Sequence, residues 1–481
     1  MRSSPVKRPR SNPIGVFLAV FLLAGNGVGT APPSNTRPGV VSLADNEKIA
    51  LETHPSVRLA DEEAEVAELK KDEAYRALWP GVTLKGERTD GFAVEQLGTP
   101  GFREVSYGVQ ASHPLIQWGK VYYSYRQAGA AWESARAKAD EARQEVLYGA
   151  RESYWNYVKA VRTRDAYQKA LGDLVAEKEM AEKLREQDVI PRQVHMTILA
   201  QYNQAALALD GAEAELTARL WQWTAALGLG EPPEFLPGAD IPGPTPRSDL
   251  TLAACLKQAA EVHPNLWVQR KAAEAARQGY LAGKSFYYPK LSLNGFYGRS
   301  GGNFDSEPLE IREDWQAGVQ LSQYFGGSTA NLSGLHQKTS PKIGQTSRSE
   351  SRTFSGSLGL FDALKQKTEK KDADFTHHQA EVQMERTRME VANGVREAYA
   401  NWRKALAQLF MAENDLALAK SENAIAKVKG SHREVPLYER AASRNKLAQA
   451  EVSHAEARTG YNVAVAALSR AVGDPKLFDQ P

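Results

Sequence analysis

The side chains that most often carry out chemistry are sparse and scattered in this chain. Nine histidines are spread over 481 residues, and the adjacent pair His377-His378 would point in different directions on a helix. The single cysteine, Cys255, cannot form an internal disulfide or a thiolate metal cage. The phosphate-loop, zinc-protease and nucleophile-elbow motifs are absent. The sequence therefore predicts that the chain is not an enzyme and that it holds no metal and no cofactor.

The carboxylates give no sign of an enzyme, and the overall charge gives no sign of a nucleic-acid partner. Aspartates and glutamates lie mostly at exposed positions of helical patterns, without the isolated apolar pair that acid–base catalysis favours. The net charge is +2, with 25% charged residues. Such a balance does not favour a nucleic-acid partner.

Two of the histidines recur at equivalent places in the two halves of the chain, and the recurrence indicates an internal duplication. His54-Pro55 returns 209 residues later as His263-Pro264, so a repeated helix break or cap explains both better than metal ligation does. A longer segment, 145–157, returns 245 residues later as 390–402, with its Gly, Arg-Glu, Tyr and Asn residues kept. Self-similarity on this scale predicts one structural unit built twice.

The N-terminus is typical of an export signal. Four basic residues precede an apolar run at 14–24, and small residues up to Ala31 offer cleavage sites. Residues 1–31 are therefore predicted to be a signal peptide, an uncleaved membrane anchor being the alternative. No later stretch approaches 18 consecutive apolar residues, so a membrane crossing would have to use strands.

The first repeat is predicted to span residues 32–227. A helical pattern at 43–78 breaks early at His54-Pro55 and stops at Pro80. Two alternating segments follow, and alternation suits both a transmembrane barrel strand and a soluble hairpin. A helix over about 120–187, about 100 Å long, turns at Ile190-Pro191 and returns over 193–227.

A Pro/Gly-rich linker at 228–248 leads to a second repeat, predicted at 249–473, and residues 474–481 form a short tail. The two halves differ by an insert of about 35 residues, because the offset changes from 210 to 245 between the second strand and Leu360. The insert, at about 326–357, is rich in Ser, Thr, Gly and Lys. It forms either an extra strand pair or a solvent-exposed loop, and we favour the pair because it keeps the next helix on its original side.

These elements in this order resemble the TolC-like outer-membrane efflux protein family over about residues 42–475. The segments that carry the resemblance are Ser42-Leu43 through His54-Pro55, Tyr288 through Leu293, Gly318 through Ser322, Leu360 through Asp362 and Val435 through Leu437. The resemblance implies a mainly helical fold with a transmembrane β-barrel. Tandem-duplicated long helical hairpins form a periplasmic tunnel, and antiparallel strands, four from each copy, contribute to one twelve-stranded barrel shared by a homotrimer. An extra strand pair in the insert would depart from this count.

The resemblance also implies a location, partners and candidate site residues. The chain is expected in the Gram-negative outer membrane, surrounded by its lipid. Its expected partners are a periplasmic adaptor and an inner-membrane transporter of the RND or ABC type. In the family, two acidic side chains close the periplasmic end, and these positions fall on Glu439 and Ala442, so one acid is retained. The expected adaptor contacts are the hairpin tips, Ile190, Pro191 and Arg192 in the first repeat and His432, Arg433, Glu434, Val435 and Pro436 in the second.

The function predicted from the sequence is an outer-membrane channel that conducts substrates from the adaptor and pump to the exterior. Multidrug efflux, metal efflux and type I secretion are not distinguished, because the pump selects the cargo. The alternative is an exported coiled-coil scaffold without a membrane barrel. The scaffold accounts for the helices but not for the duplicated alternating strands.

Overall fold

A computed structural model describes most of the chain after residue 39. The described residues are 40–92, 101–117, 119–233, 235–238, 250–304, 308–341, 347–431 and 436–478. The predicted signal peptide lies outside them, as do residues 239–248 of the linker, residues 432–435 at the second hairpin tip and the last three residues.

Two very long helices dominate the described residues. They are α3 (Lys120–Glu186) and α7 (Leu364–Ser431), and each turns back into a shorter helix, α4 (Arg192–Ala226) or α8 (Leu437–Val472). One pair of helices precedes the strands of each repeat: α1 (Leu43–Thr53) and α2 (Pro55–Arg76) in the first, and α5 (Leu252–Val262) and α6 (Pro264–Lys284) in the second. Within the described part of the chain, no helix is both long and apolar enough to span a membrane.

The break inside each helix pair has the same physical cause in both repeats. His54 and His263 have extended backbones, and each ring Nδ1 accepts a hydrogen bond of 3.2 Å from the backbone N–H two residues later. Burial, and then the charge of Arg470, lower the pKa of His263 to about 4, so its ring stays neutral and can accept. Both histidines are thus helix caps, as the sequence predicted.

Glycine completes this cap at the far end of each return helix. Gly228 and Gly473 have φ values of +73° and +83°, which L side chains rarely adopt. A Cβ on either residue would lie 2.7 Å from the Cα of the capping histidine of its own repeat. The return helix can therefore end directly against the helix break only because glycine stands there.

The long strands are β2 (Gly81–Phe92), β3 (Gly101–Ile116), β5 (Lys290–Phe304), β6 (Arg312–Phe325), β7 (Ser328–Thr339) and β8 (Ser349–Gly359). These six form one antiparallel sheet in the order β2-β3-β5-β6-β7-β8. Two short strands, β1 (Val40–Val41) and β4 (Leu236–Pro237), pair separately. The segment inserted at about 326–357 forms β7 and β8, which extend the sheet beyond β6.

The two faces of this sheet differ in polarity over the part of the strands nearer the helices. Farther from the helices the apolar side also carries charged residues, among them Arg88, Asp90 and Arg352. One face is polar; its residues include Thr83, Gln110, Ser292, Gln320, Ser333 and Ser355. The opposite face is apolar; its residues include Val82, Leu84, Val109, Leu293, Val319, Leu321, Leu332, Phe354 and Leu358. An apolar outer face and a polar inner face are what a barrel wall in lipid requires.

The two largest clusters of the buried core lie in the helical part, one in each repeat. In the first, the Trp223 indole is fully buried, stacks on Tyr157 at 5.7 Å and donates a 2.8 Å hydrogen bond to Asn46 Oδ1. The repeat offsets place Cys255 and Leu468 where Asn46 and Trp223 stand, and both are fully buried. The second core is therefore apolar where the first holds a polar pair.

Candidate functional site at the hairpin tips

The two hairpin tips are built alike where the structure describes them. Pro191 and Pro436 both have φ −61° and ψ 148°, which places each directly before its return helix. Each proline carbonyl accepts hydrogen bonds from the backbone N–H groups three and four residues later. Asp188, at φ +56°, reverses the chain at the first tip and pairs with Arg185 at 3.0 Å.

Of the eight predicted tip residues, four are described. Pro191, Arg192 and Pro436 are exposed, and Ile190 is half-buried. In a single copy of the chain, the described part of the hairpin tips is therefore open to contact by a partner protein. His432, Arg433, Glu434 and Val435 lie outside the described residues.

Glu439 and Ala442 are both exposed and lie three positions apart on α8, so they share one face of the helix. The Tyr438 hydroxyl donates a 3.2 Å hydrogen bond to Glu439 Oε1. This bond to the carboxylate raises the pKa of Tyr438, because losing the proton would leave two negative charges in contact. Of the two predicted aperture positions, Glu439 supplies a carboxyl group and Ala442 supplies none.

A buried carboxylate behind this face ties α8 to α3. The Glu177 side chain is only 3% exposed. Its Oε1 lies 2.6 Å from Arg440 Nη2 and 3.2 Å from Arg444 Nη2, so both arginines pair with it. Arg444 also donates a 2.5 Å hydrogen bond to the backbone oxygen of Asp173. Glu177 Oε2 has no hydrogen-bond partner among the described residues. We call Asp173, Glu177, Arg440 and Arg444 the α3–α8 clamp.

Apolar packing lies directly beside the clamp. Leu174 and Ala441 are fully buried and meet Ala205 of α4, with Tyr202 partly buried against them. Three helices therefore converge here, about 14 Å from the end of α3. Low solvent access strengthens the charge pairing, and loss of one partner would leave a buried charge unpaired.

Sequence reasoning missed the clamp, although the repeats held a clue to it. At an offset of 245, Arg440 and Arg444 fall on His195 and Leu199, so this pair of basic residues occurs only in the second hairpin. Glu177 falls on Glu422, which instead pairs with Lys446 on an exposed surface at 2.6 Å. The asymmetry marks the position, but it does not tell which acid the arginines face.

The described residues also contain no group of three or more His, Cys, Asp or Glu side chains that could hold a metal ion.

Comparison with known proteins gives one family and one fold. Residues 48–226 and 255–474 match the family model described as outer membrane efflux protein. The CmeC outer membrane channel of Campylobacter jejuni matches at a TM-score of 0.71 and 15% identity, over 90% of this chain and 86% of that one. VceC from Vibrio cholerae gives 0.68 and 16%, over 90% and 96%. The open-state MtrE channel of Neisseria gonorrhoeae gives 0.68 and 16%, over 90% and 89%. None of the curated proteins matches.

Proposed function

Because the chain belongs to the outer membrane efflux protein family, we propose that three copies of it form a tunnel that carries substrates from a periplasmic adaptor and an inner-membrane pump to the exterior. Family membership confirms the outer-membrane location and the non-enzymatic role that the sequence predicted. It also confirms the fold, a mainly helical chain whose strands contribute to a β-barrel.

One structural observation supports the tunnel above all others. A sheet with an apolar face and a polar face continues into helices about 100 Å long, in one chain that is too small to enclose a pore. Six strands can close into a barrel in lipid only with strands from other copies. The cargo and the class of pump, RND or ABC, stay open, because they depend on the partners.

We further propose that the exposed ends of the hairpins meet the adaptor and that Glu439 lines the periplasmic aperture. Three copies of Glu439 around a threefold axis would form a ring of carboxylates that attracts cations. Ala442, one turn further along the same face, would add no second ring. The clamp would hold α8 against α3 and so keep this end narrow.

Conduction through planar lipid bilayers tests the function and the aperture together. The purified protein should form cation-selective channels, and Glu439→Ala should lower the cation-to-anion permeability ratio, because three carboxylates leave the narrowest part of the path. Glu186→Ala is the matched control, since it removes an exposed glutamate at the first tip. It should leave the ratio unchanged.

The outcomes separate the two proposals. A protein that inserts no channels would favour the exported coiled-coil scaffold. Channels whose selectivity is the same with and without Glu439 would keep the tunnel and remove Glu439 from the aperture.

A further inference from the structure

The sheet ends in two strands that each have one neighbour among the described strands. β2 pairs with β3, β8 pairs with β7, and the outer edges of β2 and β8 face away from the sheet. Side chains there are strongly exposed, with Leu84 at 81% and Phe354 at 86%. In lipid no water can satisfy the backbone N–H and C=O groups along such edges.

The β7–β8 hairpin is joined to the rest of the sheet by side chains as well as by the backbone ladder. Asp314 of β6 is buried; its carboxylate accepts hydrogen bonds from Ser300 of β5 and from the backbone N–H and hydroxyl of Ser340, just after β7. Arg348, just before β8, donates a 2.9 Å hydrogen bond to the backbone oxygen of Glu313. These contacts hold both ends of the loop between β7 and β8 against β6.

The other end of the hairpin is closed as well. Phe361 N–H donates a 3.1 Å hydrogen bond to the Ser328 hydroxyl, and Ala363 N–H donates a 2.9 Å bond to the Gly327 oxygen. The start of β7 is thus fixed to the segment that enters α7. The hairpin is part of the wall rather than a flap beside it.

On this basis, and resting on the proposed trimer, we infer that β8 of each copy pairs with β2 of the next copy, closing an eighteen-stranded barrel from three six-stranded sheets. The two edges suit each other in direction, because β2 runs away from the helices and β8 runs toward them, which gives antiparallel pairing. Their lengths agree, at 12 and 11 residues. The polar and apolar faces also continue across the junction.

Side-chain alternation and charge select the register of this junction. Matching of faces requires that Leu358 and Phe354 lie on the same side as Val82 and Leu84 of the next copy. One allowed register places Arg352 opposite Arg88 and Glu350 opposite Asp90, which sets like charges against each other. Shifting by two residues places Arg352 opposite Asp90. In this second register, Thr353 and Thr89 face each other on the polar side.

The inferred barrel has a consequence for transport. Barrels of 16–18 strands leave an aqueous channel, and diameter grows with strand number. The polar faces of β7 and β8, which would line the channel, carry mostly uncharged side chains such as Asn331, Ser333, Thr353 and Ser355. β7 and β8 would therefore widen the exit without adding charge to it, leaving the helical end to limit passage.

Disulfide cross-linking tests the junction in the full-length protein. Within one chain, Thr353 and Thr89 are five strand spacings apart, roughly 24 Å, so a disulfide between them can form only between copies. Oxidising the Thr89→Cys/Thr353→Cys variant should convert most of it into a covalent trimer on non-reducing gels. The single variants should stay monomeric, because the native Cys255 is fully buried. Glu87→Cys/Thr353→Cys, which reports the rejected register, should cross-link much less.

A third pair tests the alternative, a twelve-stranded barrel in which each copy contributes only β2, β3, β5 and β6. Gln320→Cys on β6 with Glu87→Cys would cross-link only if β6 were the edge strand; in the inferred barrel about three strand spacings, roughly 14 Å, separate them. Cross-linking by this pair, or no cross-linking by either Thr353 pair in a protein whose native mass is trimeric, would overturn the eighteen-stranded barrel. A native mass other than a trimer would contradict the proposed function instead.

Discussion

Replacing Arg440 and Arg444 together by alanine should open the periplasmic end of the channel and raise its single-channel conductance. The double substitution leaves Glu177, only 3% exposed, as an unpaired buried carboxylate. Breaking a buried pair in this way costs about 3–5 kcal/mol, which the chain can avoid if α8 moves away from α3 and admits water. The measurements are conductance in planar bilayers and the free energy of unfolding in denaturant.

Two further variants distinguish the effect of breaking the buried pairs of the clamp from the effect of removing any positive charge near the hairpin tips. Adding Glu177→Gln to the double variant removes the buried charge, and it should recover part of the lost stability. Arg185→Ala breaks an exposed pair near the same end and should change the free energy of unfolding by at most about 1 kcal/mol. Unaltered conductance in the double variant would show that the clamp does not hold the tip closed.

Trp223→Ala should destabilise the first repeat by about 3–5 kcal/mol, which is the usual cost of emptying a buried tryptophan site. The indole, on α4, is fully buried, and three other helices contribute to the core around it: α1 through Asn46, α2 through Val57 and α3 through Tyr157. The free energy of unfolding, followed by circular dichroism in denaturant, measures the loss.

The second repeat supplies the comparison that separates packing from hydrogen bonding. Asn46→Cys introduces the residue that the other repeat carries at this place, and it removes the acceptor of the Trp223 N–H. It should cost about 1–3 kcal/mol, since it leaves that donor buried and unpaired. Combining it with Trp223→Leu removes the donor as well, so the double variant should lose less than the sum of the single losses. Strict additivity would contradict a coupled polar pair.

The sequence was sufficient for features that depend on local signals. Prolines 55, 191, 264 and 436 mark helix starts, and the helix bounds lie within about three residues of those predicted. Side-chain alternation after Pro80 indicated two strands, which are β2 and β3 in the structure. Strand ends were harder to predict. Near the end of β2, Thr89 and Asp90 face opposite sides of the sheet and both are polar, so the segment shows no alternation.

Features that depend on distant parts of the chain were not predictable. Arg440 and Glu177 are 263 residues apart, and nothing in the sequence of α3 distinguishes Glu177 from its neighbours Glu179 and Glu182. The clamp forms because two hairpins pack side by side at one level, which is a property of the assembled bundle. The insert was similarly ambiguous, because Ser- and Thr-rich segments suit both a solvated loop and the inside of a barrel; its pairing with β6 becomes visible only in the sheet.

Imaging of the detergent-purified mature protein by electron microscopy tests the central claim most directly. We expect threefold particles about 130–140 Å long, made of a helical column of about 100 Å and a barrel of bilayer height within a detergent belt. A monomeric or two-chain helical particle without a belt would contradict a trimeric outer-membrane tunnel.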